Sequence, residues 1–179
     1  MRITLAQWRA FCARSHGDQL YDEDRDLSYP YHLNKVEEVA VRFGFRSRTI
    51  RMICQGHDVI EDPKLTPREL LLAGASRVVV NAIMALSDEP GASRAERKAK
   101  TYPKIAKNRR ALIVKLCDRI ANVEFGIATG NIAKFTMYKS EFPEFQRQLR
   151  NRNDAALEPM WKHLEYLFQN GLELMRSAA

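Results

Sequence analysis

Apolar residues recur along this chain at intervals of three and four rather than two, a spacing that predicts amphipathic helices and leaves strands a minor part. Thr4 stands where it can cap a first helix running to about residue 16. Residues 17–29 then make a polar loop rich in Asp and Glu. Leu33, Val36, Val39, Ala40 and Phe43 lie on one face of a helix over 31–43, which Gly44 ends. Ser47 caps the next helix, on which Ile50, Ile53, Cys54 and His57 share a side. Its end at 60–63, ahead of Pro63, sets Glu61 and Asp62 beside a loop.

Thr66, Pro67 and Glu69 form the start of a short helix to residue 73, with Thr66 as cap, Pro67 in the first turn and Glu69 completing a capping box. Helices are also expected over 76–86, 94–106 and 109–128, the last apolar on one side through Leu112, Leu116 and Ile120. Two more amphipathic helices fit 131–150 and 159–176, where Trp161, Leu164, Leu167 and Phe168 have core spacing. Prolines fall at segment joins, and no repeat, low-complexity segment or long linker interrupts the pattern. The expected fold class is all-α, with a single domain over 1–179.

A chain of 179 residues is long enough to bury a core without disulfides. Cys12, Cys54 and Cys117 are odd in number and lack a CxxC pair, so they read as reduced, buried apolar residues rather than a thiolate zinc site. No window is apolar for long enough to span a membrane, and Gln7, Arg9, Arg14 and His16 break any secretory signal, so a soluble cytoplasmic protein is expected. The net charge of +7 favours an anionic partner. Much of that charge lies between Arg94 and Arg110, where Arg94, Arg97, Lys98, Lys100, Lys104, Lys107, Arg109 and Arg110 oppose the single acid Glu96.

Chemistry concentrates in two places. His57-Asp58 followed by Glu61-Asp62 packs four ionisable groups into six residues. On helical spacing His57 and Glu61 form one i,i+4 column and Asp58 and Asp62 another, and a metal would offset the repulsion of such a cluster. Asp118 and Asn122 stand one turn apart in an otherwise apolar helix, where buried polar groups need partners. Each residue alone has an ordinary explanation as a cap, a surface group or a structural pair. Together with His32, they provide two imidazoles and two carboxylates, a mixed donor set suited to Mn²⁺, Fe²⁺ or another divalent ion with open positions for water and phosphate.

The segments Tyr29-Pro-Tyr-His32-Leu, His57-Asp58-Val-Ile-Glu61-Asp62 and Lys115-Leu-Cys-Asp118-Arg-Ile-Ala-Asn122 resemble the HD-domain phosphohydrolases, and within them the hydrolase domains of Rel/SpoT proteins and the small alarmone hydrolases. The resemblance covers roughly residues 11–124, including Ala-Arg-Ser-His at 13–16 and Glu96-Arg97-Lys98. It implies a helical HD-domain fold around a central metal site, with residues 131–176 as helices of no assigned role. The implied activity is removal of pyrophosphate from the 3′ position of (p)ppGpp, giving GDP or GTP. His32, His57, Asp58 and Asp118 match the metal ligands, and Mn²⁺ is the ion implied. Glu61 and Asp62 match the pair that positions and activates water, and Asn122 a residue that contacts substrate and supports the site. Lys98, with Arg97 and Lys100 beside it, matches a basic segment that neutralises the pyrophosphate.

The chain departs from the resemblance in the loop before His32. The alarmone hydrolases usually carry an Arg-Lys pair where this sequence reads Gln19-Leu20-Tyr21-Asp22. Tyr21 is expected to stack on a base there, without supplying the cation, and Arg25 is the nearest replacement for that charge. Two further readings stay open from the residues: an HD-type hydrolase of another nucleotide, and a basic RNA- or DNA-binding module with a structural metal site. A nucleic-acid partner is not expected, because no recognition motif or aromatic platform accompanies the basic residues. The oligomeric state is not legible.

Overall fold

The structure, a computed structural model, describes residues 3–151 and 153–178. Helix α1 covers Leu5–His16, and a small antiparallel hairpin, β1 (Leu20–Asp22) with β2 (Leu27–Ser28), follows it. Then come α2 (Tyr29–Arg42), α3 (Arg48–Gly56), α4 (Pro67–Leu72), α5 (Arg77–Leu86), α6 (Arg94–Ala106), α7 (Arg109–Ala128) and α8 (Ile132–Leu149). A single 3-10 turn at Ala155–Leu157 leads into α9 (Glu158–Ala178). The all-α expectation holds, with the hairpin the only sheet among the described residues. It interrupts the stretch expected to be loop.

Local signals account for most helix ends. Thr4 with Gln7, and Thr66 with Glu69, both form reciprocal capping boxes, while the Ser47 hydroxyl accepts the Ile50 N–H at 3.3 Å. Gly44 follows the end of α2 at φ +87°, a backbone conformation a side chain would resist. Prolines are not confined to joins. Pro103 lies inside α6 and Pro143 inside α8, each removing one helical hydrogen bond that tertiary packing compensates.

The centre of the molecule is α7, against which α2, α3, α5, α6, α8 and α9 all pack. Leu112, Leu116 and Ile120 are buried as expected, but so are Ala111, Ile113, Val114, Ala121 and Val123. The helix is therefore enclosed on every side, because helices cover each of its faces, and its polar residues Asp118, Arg119 and Asn122 are buried with it. Trp161, Leu164, Leu167 and Phe168 of α9 join the same core. The three cysteines are free and buried. No helix among the described residues is long and apolar enough to cross a membrane.

Close approach at Gly56, the last residue of α3, leaves no room for a side chain. A Cβ there would stand 2.8 Å from Cζ2 of Trp8 and 2.9 Å from Cδ1 of Ile83, both in the packed core. Trp8 is held in place by its indole N–H, which donates to the Met52 carbonyl at 2.7 Å. Gly56→Ala is expected to cost about 1–3 kcal/mol by overpacking, measured as a lower urea midpoint at unchanged slope. An unchanged midpoint would mean that α1 and α5 give way easily.

Candidate metal centre

Three parts of the fold supply the site. His32 lies near the start of α2, His57 and Asp58 follow the last turn of α3, and Asp118 and Asn122 sit one turn apart on α7. The segment His57–Asp62 is not helical as its spacing suggests. Helix α3 stops at Gly56, and the next residues run through turns, so the two expected i,i+4 columns do not form. This early end leaves the Cys54 carbonyl open, and Nδ1 of His57 meets it at 2.7 Å. A carbonyl only accepts, so Nδ1 carries the hydrogen and Nε2 is the atom left to ligate a cation.

Asp118 Oδ1 lies 3.4 Å from Nε2 of His32 and 3.9 Å from Nε2 of His57. Asp58 Oδ2 lies 3.8 Å and 3.0 Å from the same two atoms. His32, His57 and Asp118 each offer a ligand atom within 4.8 Å of the others, and Asp58 adds an oxygen against both imidazoles. Nε2 of His57 is buried without a hydrogen-bond partner among the described residues. Leaving such an atom unsatisfied costs about 1–3 kcal/mol, which a coordinated cation would remove. Two imidazoles facing two carboxylates in this way fit a divalent ion such as Mn²⁺ or Fe²⁺.

Before a cation binds, the cluster holds a proton on His57 and keeps its carboxylates ionised, and a bound cation would take that proton's place. Burial alone would lower the His57 imidazole, but the Asp58 and Asp118 carboxylates push it up to about 10. Against the cost of its own burial, Asp58 is held below the usual carboxylate range by His57, and Asp118 likewise by Lys115. Lys115 donates to Asp118 Oδ2 at 2.8 Å, while Asn122 Nδ2 donates to Asp118 Oδ1 at 2.6 Å. The Tyr29 hydroxyl donates to Asp58 Oδ2 at 2.5 Å.

His32, Asp58 and Asp118 open into a polar cavity of about 190 Å³. Glu61 and Asp62 both line it but are held differently. Glu61 Oε1 accepts the Asp88 N–H at 2.7 Å, and Asp62 Oδ2 accepts from Gln19 Nε2 at 2.9 Å. Burial, then the nearby Asp58 charge, raises the Glu61 carboxyl above its ordinary value. Lys98 enters from α6, donating to Asp88 Oδ2 at 2.8 Å, and Arg94, Lys115 and Arg119 also line the cavity. Arg97 and Lys100 do not line the cavity: Arg97 is turned towards Asp88 at 3.9 Å, and Lys100 binds the Pro90 carbonyl and Glu96, each at 2.7 Å. Only one residue in three or four on a helix faces the same way, and here Lys98 has that place.

Tyr21 packs against other side chains of the site. Its ring lies against His32 at 4.7 Å and 10°, and the Lys134 ammonium stands over it 4.3 Å from the centroid. The ring thus supports an imidazole while still lining both cavities. Its hydroxyl donates to Asn122 Oδ1 at 3.0 Å. Arg25 binds Asp22 and the Thr129 carbonyl, and does not line the cavity.

Sequence reasoning assigned no role to Tyr29, Arg94, Lys115, Arg119, Lys134 and Tyr138. Tyr29, Lys115 and Arg119 stand inside the segments that drew attention to the site, and Arg94 opens the basic run, so a signal was present for these four. Lys134 and Tyr138 carried none, because i,i+4 polar residues on an amphipathic helix look the same whether they face solvent or a site.

A second, mostly apolar cavity of about 360 Å³ adjoins the first. Tyr31, Phe125, Val39, Ala121 and Ala128 form its walls, with Lys35, Arg42 and Glu124 at its polar margin, and Tyr21 belongs to both cavities.

No protein-family profile matches the chain, and no curated protein sequence matches it. Solved structures do: one, described as a metazoan ortholog of SpoT that hydrolyzes ppGpp and plays a role in starvation responses, superposes with a TM-score of 0.75 at 22% identity. The superposition covers 94% of this chain and 96% of that one, so the two share a fold over nearly their full lengths.

Proposed function

We propose that this chain is a metal-dependent nucleotide phosphohydrolase of the HD type, and that it releases pyrophosphate from the 3′ position of (p)ppGpp. One observation carries the reading: His32, His57, Asp58 and Asp118 cluster together, and three of them, His32, Asp58 and Asp118, line one cavity with Lys98 and Arg94. Metal donors and cations that line one cavity suit a phosphate group bound by both. The adjoining apolar cavity, walled by Tyr31 and Phe125, suits the nucleoside portion of such a substrate. The shared fold with a protein described as hydrolysing ppGpp supports the choice of substrate.

A divalent cation, Mn²⁺ in this proposal, would be held by His32, His57, Asp58 and Asp118 and would supply Lewis acidity at a phosphoryl oxygen. The chain's own groups do the rest. Lys98 and Arg94 bind and orient the diphosphate. Glu61, with Oε1 tied to the Asp88 amide, keeps Oε2 for the attacking water and takes its proton. Burial, which raises Glu61 towards neutrality, makes it a better proton acceptor at working pH. Asp62 orients the water and Asn122 supports the site beside the substrate. Water oxygen bonds to phosphorus as the bond to the 3′ oxygen breaks, and that oxygen takes up a proton as GDP or GTP leaves.

Metal-stripped protein incubated with ppGpp is expected to release GDP and pyrophosphate only when Mn²⁺ is added, read by chromatography of the products. Intact ppGpp alongside cleavage of another nucleotide would keep the chemistry and move the substrate. Mn²⁺ uptake with no turnover of any nucleotide would favour the basic binding module with a structural metal.

A further inference from the structure

Lys115, Lys98, Arg94 and Arg119 each face a carboxylate, whereas Lys134, on α8, pairs with none among the described residues. Its ammonium donates instead to the Tyr21 hydroxyl at 3.0 Å and covers the rings of Tyr21 and Phe125, at 4.3 and 5.3 Å from their centroids. A half-buried cation is costly without compensation, and aromatic faces offset only part of that cost. Its backbone is fixed too, since Asn131 Oδ1 caps α8 by accepting the Lys134 N–H at 2.9 Å.

We propose that Lys134 is a positioning residue for the metal centre, acting through Tyr21 to set the orientation of the Asn122 carboxamide and with it the ligating oxygen of Asp118. The inference rests on the metal reading above. An ammonium has only hydrogens to give, so its bond occupies a lone pair of the Tyr21 oxygen and the phenol's own hydrogen goes to Asn122 Oδ1, 3.0 Å away. That uses the acceptor end of the carboxamide. Its amino end is then committed to Asp118, where Nδ2 lies 2.6 Å from Oδ1 and 3.0 Å from the backbone carbonyl. With the amide reversed, two oxygens would face each other across the same gap. Lys115 holds Asp118 Oδ2, so Oδ1 is left aimed at both imidazoles. The Tyr21 ring, pinned under Lys134, also lies flat on His32. One side chain from α8 thereby steadies two of the four donors, on α2 and α7.

Groups that orient metal ligands are worth about 10–100-fold in metal affinity. Mn²⁺ titration calorimetry on metal-stripped protein tests this without reference to turnover. Lys134→Met is expected to weaken Mn²⁺ binding about 10-fold, and Lys134→Arg, which still donates, to recover most of the loss. Tyr21→Phe cuts the same chain, so it should weaken binding similarly, and the double variant Tyr21→Phe with Lys134→Met should be no weaker than the worse single. Lys139→Met, on the same helix away from the site, should bind as wild type does. Thermal unfolding of the metal-free variants checks that each is folded, and Lys134→Arg and Tyr21→Phe carry the test if Lys134→Met is not. Wild-type affinity in folded Lys134→Met, or losses that add in the double variant, would overturn the inference while leaving the metal reading intact. A wild-type protein that takes up no Mn²⁺ would overturn both.

Discussion

Asp118→Asn is expected to abolish Mn²⁺ binding and to lower turnover of ppGpp at least about a thousandfold, equivalent to about 4 kcal/mol of transition-state stabilisation. Asp118 is the donor on which the others converge. Its Oδ1 faces both imidazoles, and its two oxygens receive Asn122 and Lys115. The asparagine keeps the shape and one acceptor but removes the charge that balances a divalent ion. It also puts an amino group where either Asn122 or Lys115 now donates, so one of those donors turns away. Calorimetry with Mn²⁺ and product analysis with ppGpp read the two losses separately. Retained turnover in the variant would place the reactive centre elsewhere in the cavity. Retained metal binding with lost turnover would make Asp118 a group that acts on the substrate rather than a ligand.

Glu141→Ala should destabilise the fold by about 3–5 kcal/mol. Arg119 is the reason. Its side chain is only 1% exposed, sits between the rings of Tyr138 and Phe145 at 4.4 and 4.6 Å, and faces Glu141 at 3.1 Å. Glu141 also accepts from Arg94, so one carboxylate on α8 ties α6 and α7 to it. Arg94 reaches solvent and can be hydrated when Glu141 is removed. The Arg119 guanidinium, with Glu141 its one carboxylate among the described residues, is left nearly enclosed, and an isolated buried charge costs far more than a lost surface pair. In a chain of this size the loss corresponds to a fall in unfolding temperature of about 10 °C. Adding Arg119→Met to Glu141→Ala should return much of the stability, because an apolar side chain of similar length suits the aromatic walls. A shift below about 0.5 kcal/mol, in the range of ordinary surface changes, would mean that the guanidinium finds water or another acceptor.

The local pattern carried much of the fold because helix boundaries are decided by a few neighbouring residues. Thr4 with Gln7, Thr66 with Glu69, and Ser47 ahead of Ile50 all make the caps their spacing suggests. Where the pattern misled, a tertiary contact decided. Helical spacing continued past His57, yet α3 stops at Gly56, whose missing side chain lets Trp8 and Ile83 pack close, and the chain runs through turns to Pro63. The one-sided apolar stripe of α7 was only part of its buried surface, because helices pack on every side of it. In the basic run, Lys98 faces the cavity while Arg97 and Lys100 do not, a division set by the rotation of α6 on its neighbours.

By itself, the sequence determined the succession of helices, the types of residue able to hold a metal, and their grouping into His32, His57-Asp58 and Asp118. Ionisable groups in an apolar context are costly, so their presence is visible without coordinates. Tertiary structure decided what those groups face and what holds them. Tyr21 meets Asn122 across 101 positions, and Lys134 meets Tyr21 across 113. Periodicity reports which side of a helix is apolar over a few turns. Contacts between residues so far apart depend on how whole helices pack together, and side-chain direction within the site follows from that packing.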